Sequence, residues 1–323
     1  MLDNANQSIN QSINQSINQS INQSINQSIN QSINQSINQS INQSINQSIN
    51  QSINQSINQS INQSINQSIN QSINQSAIFV INLEKATERK HFISHQFTAL
   101  QEQHPDIVIN YQFFTGVNGN TQPNHPLFAK YNQKKRYQRK GNEITLGQLG
   151  CYASHYLLWE KCVQLQQPII VLEDDAILQP NFLAVYQFCF SAENQFEFFW
   201  LTHSNSSKIR TKLIHTLPDS TKLEQHYFGY SNTTGYYLTP QAAQKFLEHS
   251  QEWIYNVDIF MDRFYENHVA LLGVNPPCVK PDFSKQSQIT MNKNNRTFWV
   301  KLRREYFALL ERIKRFVYWT FYC

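Results

Sequence analysis

For its first quarter the sequence lacks charge and aromatic rings almost completely. From Gln7 to Asn74 it is seventeen uninterrupted copies of Gln-Ser-Ile-Asn, 68 residues without a single ionisable or aromatic side chain. One apolar residue in each four is too few for a core. In a helix the isoleucine stripe drifts by about 40° per repeat, so no steady buried face forms. In a strand Gln and Ile share one face and Ser and Asn the other, which favours aggregation over packing. Residues 1–76 are therefore expected to be a disordered repeat tail outside any fold. Cysteine is also scarce. The five present (Cys151, Cys162, Cys189, Cys278 and Cys323) are odd in number and form no Cys-x-x-Cys pair, which argues against a disulfide framework or zinc ribbon and suits a reducing compartment. No signal-peptide pattern and no run of about 18 apolar residues is present, so a cytoplasmic protein is expected.

The remaining 247 residues, Ala77 to Cys323, carry all 26 basic and 21 of the 22 acidic side chains, a net charge of +5. That balance is too mild to mark a nucleic-acid binder, and the length suits one α/β domain with a small appendage. Apolar β-branched runs at 77–83, 107–114, 169–172, 196–202 and 269–274 predict strands, and the stretch from Leu213 to Leu238 reads as short strands. Helical spacing predicts helices over 86–103, from a Thr145/Gln148 capping box to about Leu165, from Pro180, from Thr239-Pro240 and over 258–267. Strands alternating with helices predict an α/β sandwich with a mostly parallel central sheet.

Chemistry concentrates in "PIIVLEDDAIL" (168–178). Three adjacent acids, Glu173, Asp174 and Asp175, follow a strand, and ligands of open α/β sheets collect beyond the carboxyl ends of strands. Extended backbone would turn Glu173 and Asp175 to one side, a pair able to grip a hard divalent cation. A solvated acidic turn before the next helix is the other reading, and spacing alone leaves both open. Gly147, Gly150 and Ser154 share one helical face where a ligand or backbone can approach closely. His155 suits either a phosphate contact or a core hydrogen bond.

"FVINLEKATERK", "LGQLGCYASHYLLW" and "PIIVLEDDAIL", followed by "GYYLTPQAAQKFL" and "VDIFMD", resemble glycosyltransferase family 25, the bacterial lipooligosaccharide sugar transferases, over about 77–290. The resemblance implies a GT-A-like nucleotide-sugar-binding fold and transfer of a hexose to a lipooligosaccharide core. The implied donor is UDP-galactose. It also implies a divalent cation, Mn²⁺ or Mg²⁺, at an Asp-x-Asp motif; here Asp175 matches its last acid and Glu173 replaces its first, with Asp174 between. The donor nucleotide is expected near Asn82, Arg89, Gly147, Gly150, Ser154 and His155. Inverting transfer needs a base, for which Asp258 and Asp262, four apart, are candidates. For each, an acidic helix start favoured by the dipole is the ordinary reading.

"KYNQKKRYQRK" (130–140) reads as a basic loop, solvated or facing an anionic glycolipid. Residues 291–323 carry an apolar stripe, Trp299, Leu302, Tyr306, Leu309, Ile313 and Phe316, beside basic faces. That suits a helix lying on the cytoplasmic face of an anionic membrane or one packed on the domain. The expectation is a cytoplasmic, membrane-peripheral hexosyltransferase acting on a lipooligosaccharide acceptor. A metal-dependent nucleotidyltransferase and a non-enzymatic repeat-displaying protein are the alternatives. The tetranucleotide CAAT read three times encodes Gln-Ser-Ile-Asn. The perfect protein repeat is thus most simply the image of a DNA repeat, whose slippage shifts the frame and makes expression phase-variable. Such a tract beside a domain of this family resembles the arrangement of phase-variable lipooligosaccharide galactosyltransferases.

Overall fold

The computed structural model describes residues 6–24, short helical pieces between 27 and 39, and then 77–206, 210–283 and 297–321. It divides into two compact units, Met1–Asn74 and Gln75–Cys323.

In the first unit residues 6–24 form a helix, α1, where a tail without secondary structure was expected. This helix nonetheless gains no buried face. Every residue of α1 is exposed, and Ile9, Ile13, Ile17 and Ile21 are each about half exposed, from 47% to 54%. The rest of the tract lies largely outside the described residues.

The second unit is built on an eight-stranded sheet in the order β2-β1-β3-β8-β5-β9-β7-β6. In chain order its strands are β1 (Ile78–Asn82), β2 (Tyr111–Thr115), β3 (Ile169–Glu173), β5 (Phe198–Trp200), β6 (Thr211–Thr216), β7 (Lys222–His226), β8 (Gly235–Leu238) and β9 (Leu272–Asn275). The β2-β1-β3 half is parallel throughout. β8 then enters antiparallel between β3 and β5, β9 returns parallel to β5, and β7 opposes β9 while β6 opposes β7. Six of the eight strands thus share one direction, although antiparallel neighbours are more numerous than parallel ones. Two strands outside the sequence expectation, β4 (Ala176–Leu178) and β10 (Val279–Pro281), form a separate antiparallel pair just beyond β3.

Side-chain alternation divides the core in two. Ile78, Val80, Ile170, Leu172 and Phe199 point to one face, where α2 (Thr87–Gln103) and α5 (Phe182–Cys189) supply Ile93, Phe97, Phe182 and Phe188. Phe79, Ile169, Val171, Phe198 and Trp200 point to the other, covered by α4 (Leu146–Leu165) and α6 (Pro240–His249). Strands buried on both faces read as continuous apolar runs, which is why β1 and β3 were legible.

Three local expectations change. The basic run is a helix, α3 (Gln133–Lys140), capped by Asn132 accepting from the Lys135 N–H and ended by Gly141 at φ 68°. Several of its cations are engaged: Lys135 pairs with Glu252 at 2.6 Å, buried Arg136 donates to the Asn142 and Ile254 carbonyls, and Arg139 donates to Tyr255. The predicted helix over 258–267 is two short ones, α7 (Val257–Met261) and α8 (Phe264–Asn267). The second strand begins at Tyr111 rather than 107.

The C-terminal helix α9 (Phe298–Phe321) packs against the domain by one face. Glu311 pairs with Arg263 at 3.1 Å and Lys140 at 3.5 Å and accepts from Tyr255. Trp319 meets Phe264 and Tyr227. The expected boundary at 290/291 lies outside the described residues.

Candidate functional site

A cavity of about 470 Å³ opens at the carboxyl end of β3. The topology explains its place: β1 and β3 run parallel side by side, so their following loops and the start of α4 converge there. Of the expected residues, Glu173, Asp174, Asp175, Arg89, Ser154, His155 and Gly147 line it. Asn82, at the end of β1, donates to Asp174.

The three acids take different surroundings because β3 ends at Glu173 and residues 174–175 form a turn. The strict alternation expected of an extended segment stops there. Glu173 faces α4: its Oε1 lies 3.2 Å from His155 Nε2 and accepts from the Thr233 hydroxyl at 2.6 Å. Burial works to raise its pKa, but the His155 and Thr233 hydrogen bonds outweigh it and hold the carboxylate below its ordinary value. Asp174 is turned toward α2. Its Oδ1 accepts from Arg89 at 2.9 Å and its Oδ2 from Asn82 at 2.8 Å. Its pKa is raised by burial, against the pull of Arg89 and Asn82. Asp175 lies between them. Its Oδ2 is 3.8 Å from Arg89, and its Oδ1 is buried with no hydrogen-bond partner. Burial first, and then the charge of Glu173, push its pKa up to about 7.

Behind Glu173 stands a chain of polar contacts. Trp159 Nε1 donates to the Tyr236 hydroxyl at 3.2 Å, and that oxygen lies 2.9 Å from His155 Nδ1. Trp159 can only donate. Every group is therefore satisfied if Tyr236 O–H donates to Nδ1 and Nε2–H donates to the Glu173 carboxylate. That arrangement would aim Nε2–H at Glu173. Tyr236, Thr233 and Cys151 were not foreseen. Tyr236 and Thr233 come from β8 and the segment before it, which β3–β8 pairing places beside the acids. No local spacing in the sequence signals that.

The glycine-serine face of α4 has a structural use. Ser154 Oγ accepts from the Val117 N–H and donates to the Gly150 carbonyl, both at 2.8 Å. A Cβ on Gly150 would sit 2.3 Å from the Val117 carbonyl oxygen. Close approach between α4 and the loop after β2 thus fixes one wall of the cavity. The capping box at Thr145 and Gln148, with both of its hydrogen bonds formed, sets where α4 starts.

The two base candidates separate. Asp262 is buried and accepts from the Tyr230 and Ser231 N–H groups and the Ser231 hydroxyl, at 2.7 to 2.9 Å. Its carboxylate pins the loop 229–231, and burial lifts its pKa to about 7. Asp258, half-buried, has its pKa raised by burial, with Glu173's charge a smaller contribution.

The donor set fits a divalent cation. Asp175 offers a buried oxygen without a hydrogen-bond partner, and its pKa is raised first by burial and then by the charge of Glu173, both of which a bound cation would offset. Donor atoms of Cys151, His155 and Glu173 also lie within 4.8 Å of one another. The carboxylate oxygens of Glu173 and Asp175 are the ligand type that suits Mg²⁺ or Mn²⁺.

A family model described as glycosyltransferase family 25 (LPS biosynthesis protein) matches residues 75–261. A glycosyltransferase 25 family member of Aedes aegypti is 26% identical over 198 residues, covering 60% of this chain and 31% of that protein. The corresponding Anopheles gambiae protein is 25% identical with 32% of its length covered. The chain therefore spans about a third of these relatives. A lipooligosaccharide biosynthesis protein of Haemophilus influenzae is 30% identical over 143 residues, 42% of this chain and 49% of that one.

Proposed function

Because the chain belongs to glycosyltransferase family 25, we propose that it transfers a sugar from a nucleotide-sugar donor whose diphosphate sits in the cavity beyond β3. The observation that carries this reading is the unpartnered buried Oδ1 of Asp175 beside Arg89, within the segment matched by the family. We take the donor to be a UDP-hexose, with galactose the first choice. The acceptor is a lipooligosaccharide core, the molecule named for the Haemophilus influenzae relative. A lipid-linked acceptor places the reaction at the cytoplasmic face of a membrane.

Asp175 and Glu173 would hold Mn²⁺ or Mg²⁺, which when bound neutralises the charge developing on the departing diphosphate. Asn82 and Arg89 hold Asp174 and so fix the turn that presents Asp175. Arg89 adds positive charge on the donor side. His155 donates to Glu173 and keeps that carboxylate ionised and oriented. The loop after β2, held on α4 through Ser154 and Gly150, closes the wall against which the nucleotide lies. Inverting transfer requires a base across the sugar from the leaving group, and Asp258 fits better than Asp262. Both carboxyls have raised pKa values, which suits a proton acceptor, but Asp262 is already engaged by three hydrogen bonds from the 229–231 loop. The repeat tract acts at the level of its DNA, by frame slippage, and takes no part in catalysis.

The test is a panel of UDP-sugars incubated with truncated lipooligosaccharide, with Mn²⁺ or with EDTA, scored for UDP release and product mass. UDP release that requires both acceptor and cation supports the reading. Pyrophosphate release from a nucleoside triphosphate, without sugar transfer, would replace it with a nucleotidyltransferase.

A further inference from the structure

Helix α9 docks on the domain by one face, polar at its centre, and carries an apolar stripe on the opposite one. At about 100° per residue the docked face centres near Glu311 and Arg315, and includes Tyr318 and Trp319 against the core. The stripe Trp299, Leu302, Tyr306, Leu309, Ile313 and Phe316 falls on the far side, with side chains from 49% to 74% exposed. Val317 and Phe321 extend it at 42% and 75%. A continuous exposed row of eight large apolar side chains is far more than the scattered singles usual on a soluble surface.

Its borders are cationic. By the same periodicity Lys301 and Arg312 run along one edge of the stripe, with Glu305 the single acid there. Arg303 and Lys314 run along the other, held by the Gln138 carbonyl and by Glu266 respectively. The helix is 24 residues long, about 36 Å end to end. Among the described residues no helix is long and apolar enough to cross a membrane. An aromatic-rich apolar stripe between basic edges, on a helix clamped to its domain by the opposite face, matches a flat anionic lipid surface in both polarity and charge.

We infer that the outer face of α9 docks the protein on an anionic membrane, with Trp299, Leu302, Tyr306, Leu309, Ile313 and Phe316 entering the interface while Lys301 and Arg312 meet the headgroups. The inference rests on the proposed transferase reading only for its purpose, which is to hold the cavity near a lipid-linked acceptor. The docked face keeps α9 on the domain, so the whole enzyme is carried to the surface rather than tethered by a loose tail.

The experiment is flotation of the full-length protein with vesicles of phosphatidylglycerol and phosphatidylethanolamine, against vesicles of phosphatidylcholine alone. The unaltered protein should float with the anionic vesicles and be released by added salt. Leu309→Glu with Ile313→Glu should weaken partitioning by roughly a hundredfold, since two apolar side chains leave the interface. Lys301→Glu with Arg312→Glu should erase the preference for anionic vesicles, and serves as the second probe if the apolar variant is poorly folded. Transfer to a soluble oligosaccharide should be unchanged in both, because neither pair lines the cavity. Absence of flotation, flotation of both variants equal to the parent, or a dimer in sedimentation that the apolar pair converts to monomer would overturn the inference. Flotation without any sugar transfer would instead defeat the proposed activity and leave this inference standing.

Discussion

Asp175→Asn should make the cation-free protein more stable at neutral pH while abolishing its activity. The carboxyl's pKa is pushed from 3.8 to about 7, so the folded state holds a proton more tightly than the unfolded chain. Below about pH 4 the group is protonated in both states and contributes nothing. Between about pH 4 and 7 the unfolded chain gives up its proton first, and folding stability falls as pH rises; above about 7 the penalty is constant. Roughly three pKa units correspond to at most about 4 kcal/mol. Part of that is relieved by water, since the side chain is 24% exposed. Asparagine removes the charge at nearly constant volume. Urea unfolding at pH 5 and pH 8 should therefore show a smaller loss of stability across that interval in the variant than in the parent. Millimolar Mn²⁺ should stabilise the parent at pH 8 and leave the variant unchanged, and UDP release should be lost in the variant. A variant no more stable than the parent at pH 8, or one still stabilised by Mn²⁺, would refute the assignment of Asp175 as an electrostatically strained ligand.

Asp258→Asn should lower the transfer rate by about 10²–10⁴ with little change in melting temperature, as expected for loss of a general base; an unchanged rate would return the role to another group. Asp262→Asn should instead loosen the 229–231 loop, lowering the melting temperature by several degrees, since one amide oxygen cannot replace two carboxylate oxygens that accept three bonds; an unchanged melting temperature would contradict that role. Gly150→Ala should cost about 1–3 kcal/mol of stability, because the added Cβ meets backbone atoms at 2.3 and 2.7 Å; thermal unfolding decides it. A protein beginning near Ser76 should retain full transfer activity, and the gene should read as an unbroken CAAT repeat. An inactive truncation, or scrambled synonymous codons, would show that the peptide itself matters.

What the sequence made legible was local. Apolar runs marked β1 and β3, Thr145 and Gln148 marked the start of α4, and the acids at the end of β3 marked the cavity. What it concealed depended on distant pairing or on competing signals. β8 lies antiparallel against β3, some sixty residues later in the chain, and only that contact brings Thr233 and Tyr236 to Glu173 and His155. The basic run hid α3 because six cations in eleven residues suggest solvent. Yet Asn132 before it and Gly141 after it are a helix's usual start and stop residues, and acids from elsewhere in the chain supply its counter-charges. Asp258 and Asp262 looked equivalent by spacing. They differ because Asp262 meets the 229–231 loop, a contact no pattern along α7 discloses.

In the proposed transferase the β3 acids hold a cation and, with Arg89, a nucleoside diphosphate. Calorimetric titration of the full-length protein with UDP, in Mn²⁺ and then in EDTA, tests this most directly. Saturable one-to-one binding in Mn²⁺, lost in EDTA and lost in Asp175→Asn, is the predicted result. Binding of equal strength in EDTA, or undiminished in Asp175→Asn, would contradict it.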